Sequence, residues 1–279
     1  ATANGITQDC VVTIVDCPNT IEDYEMNSYA AALFGTAGCW MTQNLRSTKT
    51  SLGTNLTENG DPGTDTSLKY YWYPGQNASV AAGTADDILD SHPEYGLLYT
   101  WAAATDRTGI NDNEGEGQSK AGNSEGIQGI CPTGWHLPSD REWNELEKEI
   151  ATNPGNYSSQ TTAYTNASSY DYGGTTGWRP ASSSSDNTCW GRQMKSTTAV
   201  NGYTNGTSKT RIEGGFDASL VGYLTSGSAD LYGSNAFFWS SSSCNVTAAW
   251  RRTLASSGTQ VDRDNGSKLV LRSVRCKKD

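Results

Sequence analysis

Apolar residues along this chain come in short runs set between long polar stretches. The run "VVTIV", Val11 to Val15, is β-branched and predicts a strand. "NSYAAALFG" follows it, so residues 1–37 read as a strand-rich lead-in. The most apolar run, "YGLLYTWAAAT" from Tyr95 to Thr105, predicts a core element. One segment, "GICPTGWHLPSDREWNELEKEI" from Gly129 to Ile150, carries a helical period. Ser139 with Glu142 three residues on is a capping box, preceded by Pro138. Trp143, Leu146 and Ile150 then fall on one face, and Arg141, Glu145, Lys148 and Glu149 lie away from it. The helix is expected to stop before Asn153-Pro154-Gly155. Asp140 and Glu142 suit its positive N-terminus, and the later carboxylates are expected to solvate its outer face.

Elsewhere the pattern is turn-dense. Residues 47–91 are polar, with turn signals at Asn59-Gly60 and Pro62-Gly63 and an aromatic knot, "YYWYPG". Residues 157–215 are polar again, with "YGGTTGWRP" and "TCWGRQMKS" as packing points. After them "FDASLVGYL", "NAFFWSS", "TAAWRRTL", "TQVDR" and "KLVLRSVRC" predict short strands split by turns. No repeat of fixed period is present, and the pattern reads as one domain with long insertions.

Composition explains how so polar a chain can bury a core. Hydrophobic residues make up 35% of the 279 positions, but 9 Trp and 14 Tyr are among them, and each buried ring removes roughly 150–250 Å² from water. The net charge of −10 argues against a nucleic-acid or anionic-membrane binder. From Trp250 onward the balance reverses, with eight basic residues against three acidic ones, a local +5 (8 − 3). The signs alternate there, which predicts a solvated sheet. No run approaches the length of a membrane span.

Candidate chemistry is sparse. The seven cysteines fit an oxidising compartment, and export is expected, with the signal peptide absent from this chain. No C-x-x-C pair supports zinc. The acidic stretch "NDNEGEG", Asn111 to Gly117, does not follow a calcium-loop template. His136 lies between Trp135 and Leu137 with no second histidine in helical reach, which suits a packed, hydrogen-bonded residue. No metal and no cofactor are expected. Cys10 and Cys17 are close enough in sequence to bridge.

The blocks "FGTAGCWMTQNLR", "YGLLYTWAAAT", "GICPTGWHLPSDREWNELE", "GGFDASLVGY", "FFWSSS" and "SVRCKKD" occur in this order. Together they resemble the Fibrobacter succinogenes major paralogous domain family of exported bacterial proteins. The resemblance implies an α+β, C-type-lectin-like fold in its formylglycine-generating-enzyme-like variant, loop-rich, with short antiparallel strands and few helices. It covers residues 26–279 as a single domain, with residues 1–25 outside it. By analogy with lectin-like folds it also implies a disulfide from Cys131 to Cys276.

The calcium-dependent sugar motifs of C-type lectins are missing, so that activity is not implied. Residues 236–276 resemble the variable region of diversity-generating retroelement proteins, which implies an exposed ligand-binding face. Its contacts would come from Phe237, Cys244, Val246, Ala248, Arg251, Ala255, Asp262, Asp264, Leu269 and Arg272. Strand parity puts Arg251 and Ala255 opposite Trp250, Arg252 and Leu254, and turns Asp262 and Asp264 away from Val261 and Arg263. Arg272 breaks the pattern, because it shares parity with Val270 and Val274. Targeted diversification and ordinary surface drift both remain open. The expected role is recognition of a protein or glycan partner at a cell surface, in a receptor or adhesin, without catalysis. Two alternatives stand beside it: an oxygen-dependent enzyme of the formylglycine-generating type, and a structural fibre-tip protein.

Overall fold

The computed structural model describes residues 16–79, 87–107, 127–164, 176–180 and 188–279. The predicted strand at Val11–Val15 and the acidic stretch Asn111–Gly117 lie outside these residues. The first half holds strands β1 (Thr20–Glu22), β2 (Ser28–Leu33), β3 (Cys39–Met41), β4 (Thr57–Glu58), β5 (Tyr70–Trp72), β6 (Leu98–Tyr99) and β7 (Trp135–His136). Helices α1 (Asp87–Ser91) and α2 (Trp101–Thr105) flank β6. The second half holds α3 (Asp140–Thr152), α4 (Pro154–Tyr157), β8 (Gly177–Arg179) and α5 (Trp190–Met194). Strands β9 (Tyr223–Thr225), β10 (Ser228–Asp230), β11 (Asn235–Ser243), β12 (Ala248–Ala255), β13 (Val261–Ser267) and β14 (Lys277–Lys278) complete it. Strands thus dominate and helices are few.

Among the described residues four sheets form: β1-β2-β3-β14-β7, β11-β12-β13-β8, β4-β5-β6, and the β9–β10 hairpin. All named strand pairs are antiparallel except β4 with β5. The C-terminal β14 lies between β3 and β7, with Lys277 opposite both Trp40 and His136, so the end of the chain closes against its early part. Cys131 and Cys276 are bridged there, Cα atoms 5.8 Å apart across 145 residues, as the resemblance implied. Cys17, however, is bridged to Cys39 and not to Cys10. The cause is the β1–β2–β3 meander: Asn19 accepts from the Ala31 amide and Leu33 stands opposite Cys39, which carries Cys17 alongside β3.

Helix α3 is the hub of one of two apolar clusters. Its capping box is complete: the Ser139 hydroxyl accepts from the Glu142 amide at 3.2 Å, and Glu142 accepts from the Ser139 amide at 2.8 Å. Trp143 packs edge-on against Trp40 and Phe216 and tilts against Phe238 of β11. Leu146 and Ile150 complete the buried stripe. The run from Tyr95 to Thr105 is buried throughout, as expected of a core element. His136 is a packed residue. Its Nδ1 pairs with Asp279 at 2.7 Å and its Nε2 with Glu142 at 2.9 Å.

The outer-face expectation for the helix carboxylates is only partly met. Glu145 is half-buried at the surface, but Glu149 is buried, accepting hydrogen bonds from Tyr157 and Asn153 at 2.9 Å each. Glu147 is fully buried, for a reason that lies in the C-terminal sheet.

Candidate ligand-binding face

Strands β11, β12 and β13 alternate as the sequence requires, but both of their faces are loaded. On the inner face Phe238, Leu254 and Val261 join the α3 cluster. Arg252 and Arg263 stand directly opposite each other in the β12–β13 register on that same face. Two like charges so placed repel, and α3 supplies the compensation. Asp140 bonds Arg252 at 2.5 Å and Arg263 at 2.6 Å. Glu147 bonds Arg179 of β8 at 2.6 Å and Arg252 at 2.5 Å, and accepts from the Trp190 indole at 2.9 Å. Burial alone would raise the Asp140 carboxyl, yet Arg252 and Arg263 hold it down at about 2. The network bolts the back of the sheet to the helix.

The outer face centres on Arg251. Its guanidinium lies 2.9 Å from Asp262, 3.7 Å from Asp264 and 5.6 Å from the Phe237 ring centroid. Tyr223 of β9 meets Phe237 edge-on at 4.8 Å. Arg272 covers the neighbouring Trp239, 4.1 Å from the ring centroid, and donates to the Ser267 carbonyl at 3.1 Å. Burial, with Arg251 close by, lowers its pKa well below the usual arginine value. Gly266 permits this arrangement, since a Cβ there would sit 2.5 Å from the Arg272 guanidinium.

The C-terminal cations therefore do not form a solvated sheet. Arg252, Arg263, Lys268, Arg272 and Arg275 are all buried. Lys268 lies 4.1 Å from the Trp101 ring and donates to Ser243, and Arg275 lies 4.3 Å from the Phe216 ring and donates to Asn44. A buried cation is tolerated where carboxylates, carbonyls or aromatic faces replace its water, and this sheet provides all three.

A family model described as the Fibrobacter succinogenes major domain matches residues 36–278. The chain belongs to that family. No curated protein and no solved structure matches it. The matched span takes in α3, the Cys131–Cys276 bridge and the whole C-terminal sheet, so the buried charge network lies inside the Fibrobacter succinogenes major domain.

Within that domain the ten expected contact residues divide by exposure. Phe237, Ala248, Asp262 and Arg272 are buried. Arg251, Ala255, Leu269 and Cys244 are half-buried, the Asp264 side chain is 42% exposed and Val246 is 50% exposed. The structure brings most of the exposed ones together. Asn245 closes the β11–β12 hairpin by accepting from the Thr247 and Ala248 amides at 2.9 Å each. The Lys268 amide donates to Thr247 at 2.9 Å, which places Leu269 beside that hairpin. Ala255 stands apart, about 23 Å along β12 from Ala248 at roughly 3.3 Å per residue.

Cys244 is a free cysteine, and burial pushes its thiol up, away from the reactive thiolate. No group of three or more metal-ligating side chains converges among the described residues. What sequence reasoning missed is the partnership of Asp140 and Glu147 with Arg179, Arg252 and Arg263. A signal was available: Arg252 and Arg263 fall at strand positions of inward parity, and Asp140, Asn144 and Glu147, spaced four and three residues apart, share one face of the helix, where Arg179 donates to Asn144 at 2.8 Å.

Proposed function

We propose that this protein is an exported, surface-displayed binding module of receptor or adhesin type, built on a lectin-like framework. It engages a protein or glycan partner through the rim formed by the β11–β12 hairpin, β13 from Asp264 onward and the loop after it. The carrying observation is the contrast between a bolted framework and a rim open to solvent. Arg252 and Arg263 are locked to α3, while Val246, Leu269 and Asp264 reach solvent on the same strands and adjoining turns. Rigid presentation of that kind lowers the ordering cost of binding. The two disulfides fit an oxidising, extracellular location. No helix of the described residues is long and apolar enough to cross a membrane.

Recognition is favoured over oxygen-dependent catalysis by the state of the C-terminal cysteines. Cys276 is engaged with Cys131, which leaves Cys244 without a second free C-terminal thiol among the described residues. Diversification by a retroelement belongs to the same proposal, with residues 236–276 as its target. It predicts a near-copy of that coding segment, differing mainly at adenines, beside a reverse transcriptase gene.

The binding proposal is tested by screening immobilised protein against arrays of bacterial and host surface proteins and glycans. The partner so found is then measured against a Val246→Asp, Leu269→Asp double variant. Binding weakened at least about tenfold with an unchanged melting temperature supports the rim. Undiminished binding would remove it.

A further inference from the structure

We propose that a second site, independent of the C-terminal strands, holds one hexopyranose unit of a neutral glycan in the cleft beside Tyr24. This cleft of about 180 Å³ lies where the β1–β2 turn, the Ser47–Gly53 turn and the segment before β7 meet. Glu22, Tyr24, Ser51, Ile130, Pro132 and Thr133 line it. Small-molecule pockets usually run to about 300–1,000 Å³, so a single ring is the natural occupant.

The walls are fixed before any ligand arrives. Asp23 accepts from the amides of Glu25 and Asn27 at 2.8 and 3.0 Å, and from the Tyr29 hydroxyl at 2.5 Å. Glu25 reaches across to accept from Ser47 at 3.1 Å and from the amide and hydroxyl of Thr48 at 2.6 and 2.7 Å. Those two carboxylates are spent on holding the turn. Tyr24, between them, is 57% exposed, with its ring laid against Gly53. Gly53 has φ +84°, and a Cβ there would stand 2.4 Å from that ring. Lys49 lies 5.9 Å from the ring centroid. The tyrosine is thus a platform supported by backbone.

The uncommitted groups define the ligand. The Glu22 carboxylate and the Ser51 and Thr133 hydroxyls line the cleft and make no hydrogen bond or ion pair among the described residues. Ile130 and Pro132 give an apolar floor. A pyranose matches this set: its C–H face packs on an aromatic ring, and its neighbouring hydroxyls donate to a carboxylate and exchange hydrogen bonds with side-chain hydroxyls. An anion would meet the Glu22 carboxylate. A metal ion would find Asp23 already saturated by four donors. A purely apolar ligand would leave the polar rim unpaired.

The test uses the intact, oxidised protein with methyl glycosides of glucose, galactose and mannose and the corresponding neutral trisaccharides. Binding is read by saturation-transfer NMR and titration calorimetry. At least one of these saccharides is expected to bind, and Tyr24→Ala and Glu22→Gln are each expected to weaken it about tenfold. Glu22 is exposed, so its isosteric variant keeps the test valid even if Tyr24→Ala folds poorly. The Val246→Asp, Leu269→Asp variant should bind saccharide normally, which keeps this site's fate separate from that of the C-terminal rim. The proposal is overturned if no neutral saccharide binds, if binding survives both cleft variants, or if only sulfated or uronic saccharides bind.

Discussion

Replacing Glu147 with Gln removes one charge from the centre of the molecule and almost no volume. In the wild type three guanidiniums (Arg179, Arg252, Arg263) face two carboxylates (Asp140, Glu147), a formal +1 (3 − 2) among the described residues of the network. Glu147→Gln makes it +2 (3 − 1). The amide also cannot accept at both oxygens, so it loses part of a set in which Arg179, Arg252 and the Trp190 indole all donate. Breaking one partner out of a buried ion pair typically costs about 3–5 kcal/mol, because the remaining charges stay buried. For a chain of this size that corresponds to a fall in melting temperature of roughly 6–20 °C. Glu145→Gln is the control: its pair with Arg141 spans 3.4 Å at the half-exposed surface and is worth under about 1 kcal/mol. The assay is urea denaturation of the oxidised protein at pH 7, followed by tryptophan fluorescence.

The same network fixes an acid limb. Asp140 titrates at about 2 in the folded protein, below its ordinary 3.8. A depressed carboxylate contributes stability that is fully present above the unfolded value and is lost as pH falls from about 3.8 through 2. The midpoint difference between wild type and Glu147→Gln should be measured above that window. A loss under about 1 kcal/mol at pH 7 would refute the claim that this network bolts the sheet to α3.

Two further outcomes follow from single contacts. The Cys131→Ser, Cys276→Ser pair opens a loop of 145 residues and should cost about 2–5 kcal/mol in urea denaturation, with β14 the first element to lose amide protection. Lys195 is buried with its ammonium on the carbonyls of Ala255 and Gly258, and burial, with Arg192 near, brings it down to about 7. The unfolded chain therefore binds the extra proton from about 7 to 10.5, so wild type should gain on Lys195→Met by about 1.4 kcal/mol per pH unit across that window; a flat difference would refute it.

How far the sequence carries can be judged from α3. Its cap, its apolar stripe and its end are local features, written in adjacent residues, and each appears where the pattern puts it. The order of short strands after residue 215 is legible for the same reason, since turns and β-branched runs are local. Cys17 shows the first limit. Its nearest cysteine in sequence is Cys10, but the β1–β2–β3 meander delivers Cys39 to it instead, and a meander's register is not a property of either cysteine.

The second limit is charge. Alternating signs along β12 and β13 suggest water on both sides, and that rule fails where a helix carries the complementary carboxylates inward. Nothing in "TAAWRRTL" or "TQVDR" alone tells a solvated arginine from a buried one. The decision rests on Asp140 and Glu147, more than a hundred residues upstream of Arg252. The outer face suffers the same ambiguity in reverse. Parity correctly turns Asp262 away from Val261, yet Arg251 pairs with it at 2.9 Å beside its cross-strand neighbour Thr253, and Asp262 is buried. Direction along a strand follows from period two; exposure depends on what the rest of the chain lays on top. The candidate rim therefore contracts to the more open positions among the described residues, the hairpin at Val246, the middle of β13 at Asp264 and the loop at Leu269, and it is there that the proposed partner's side chains would land.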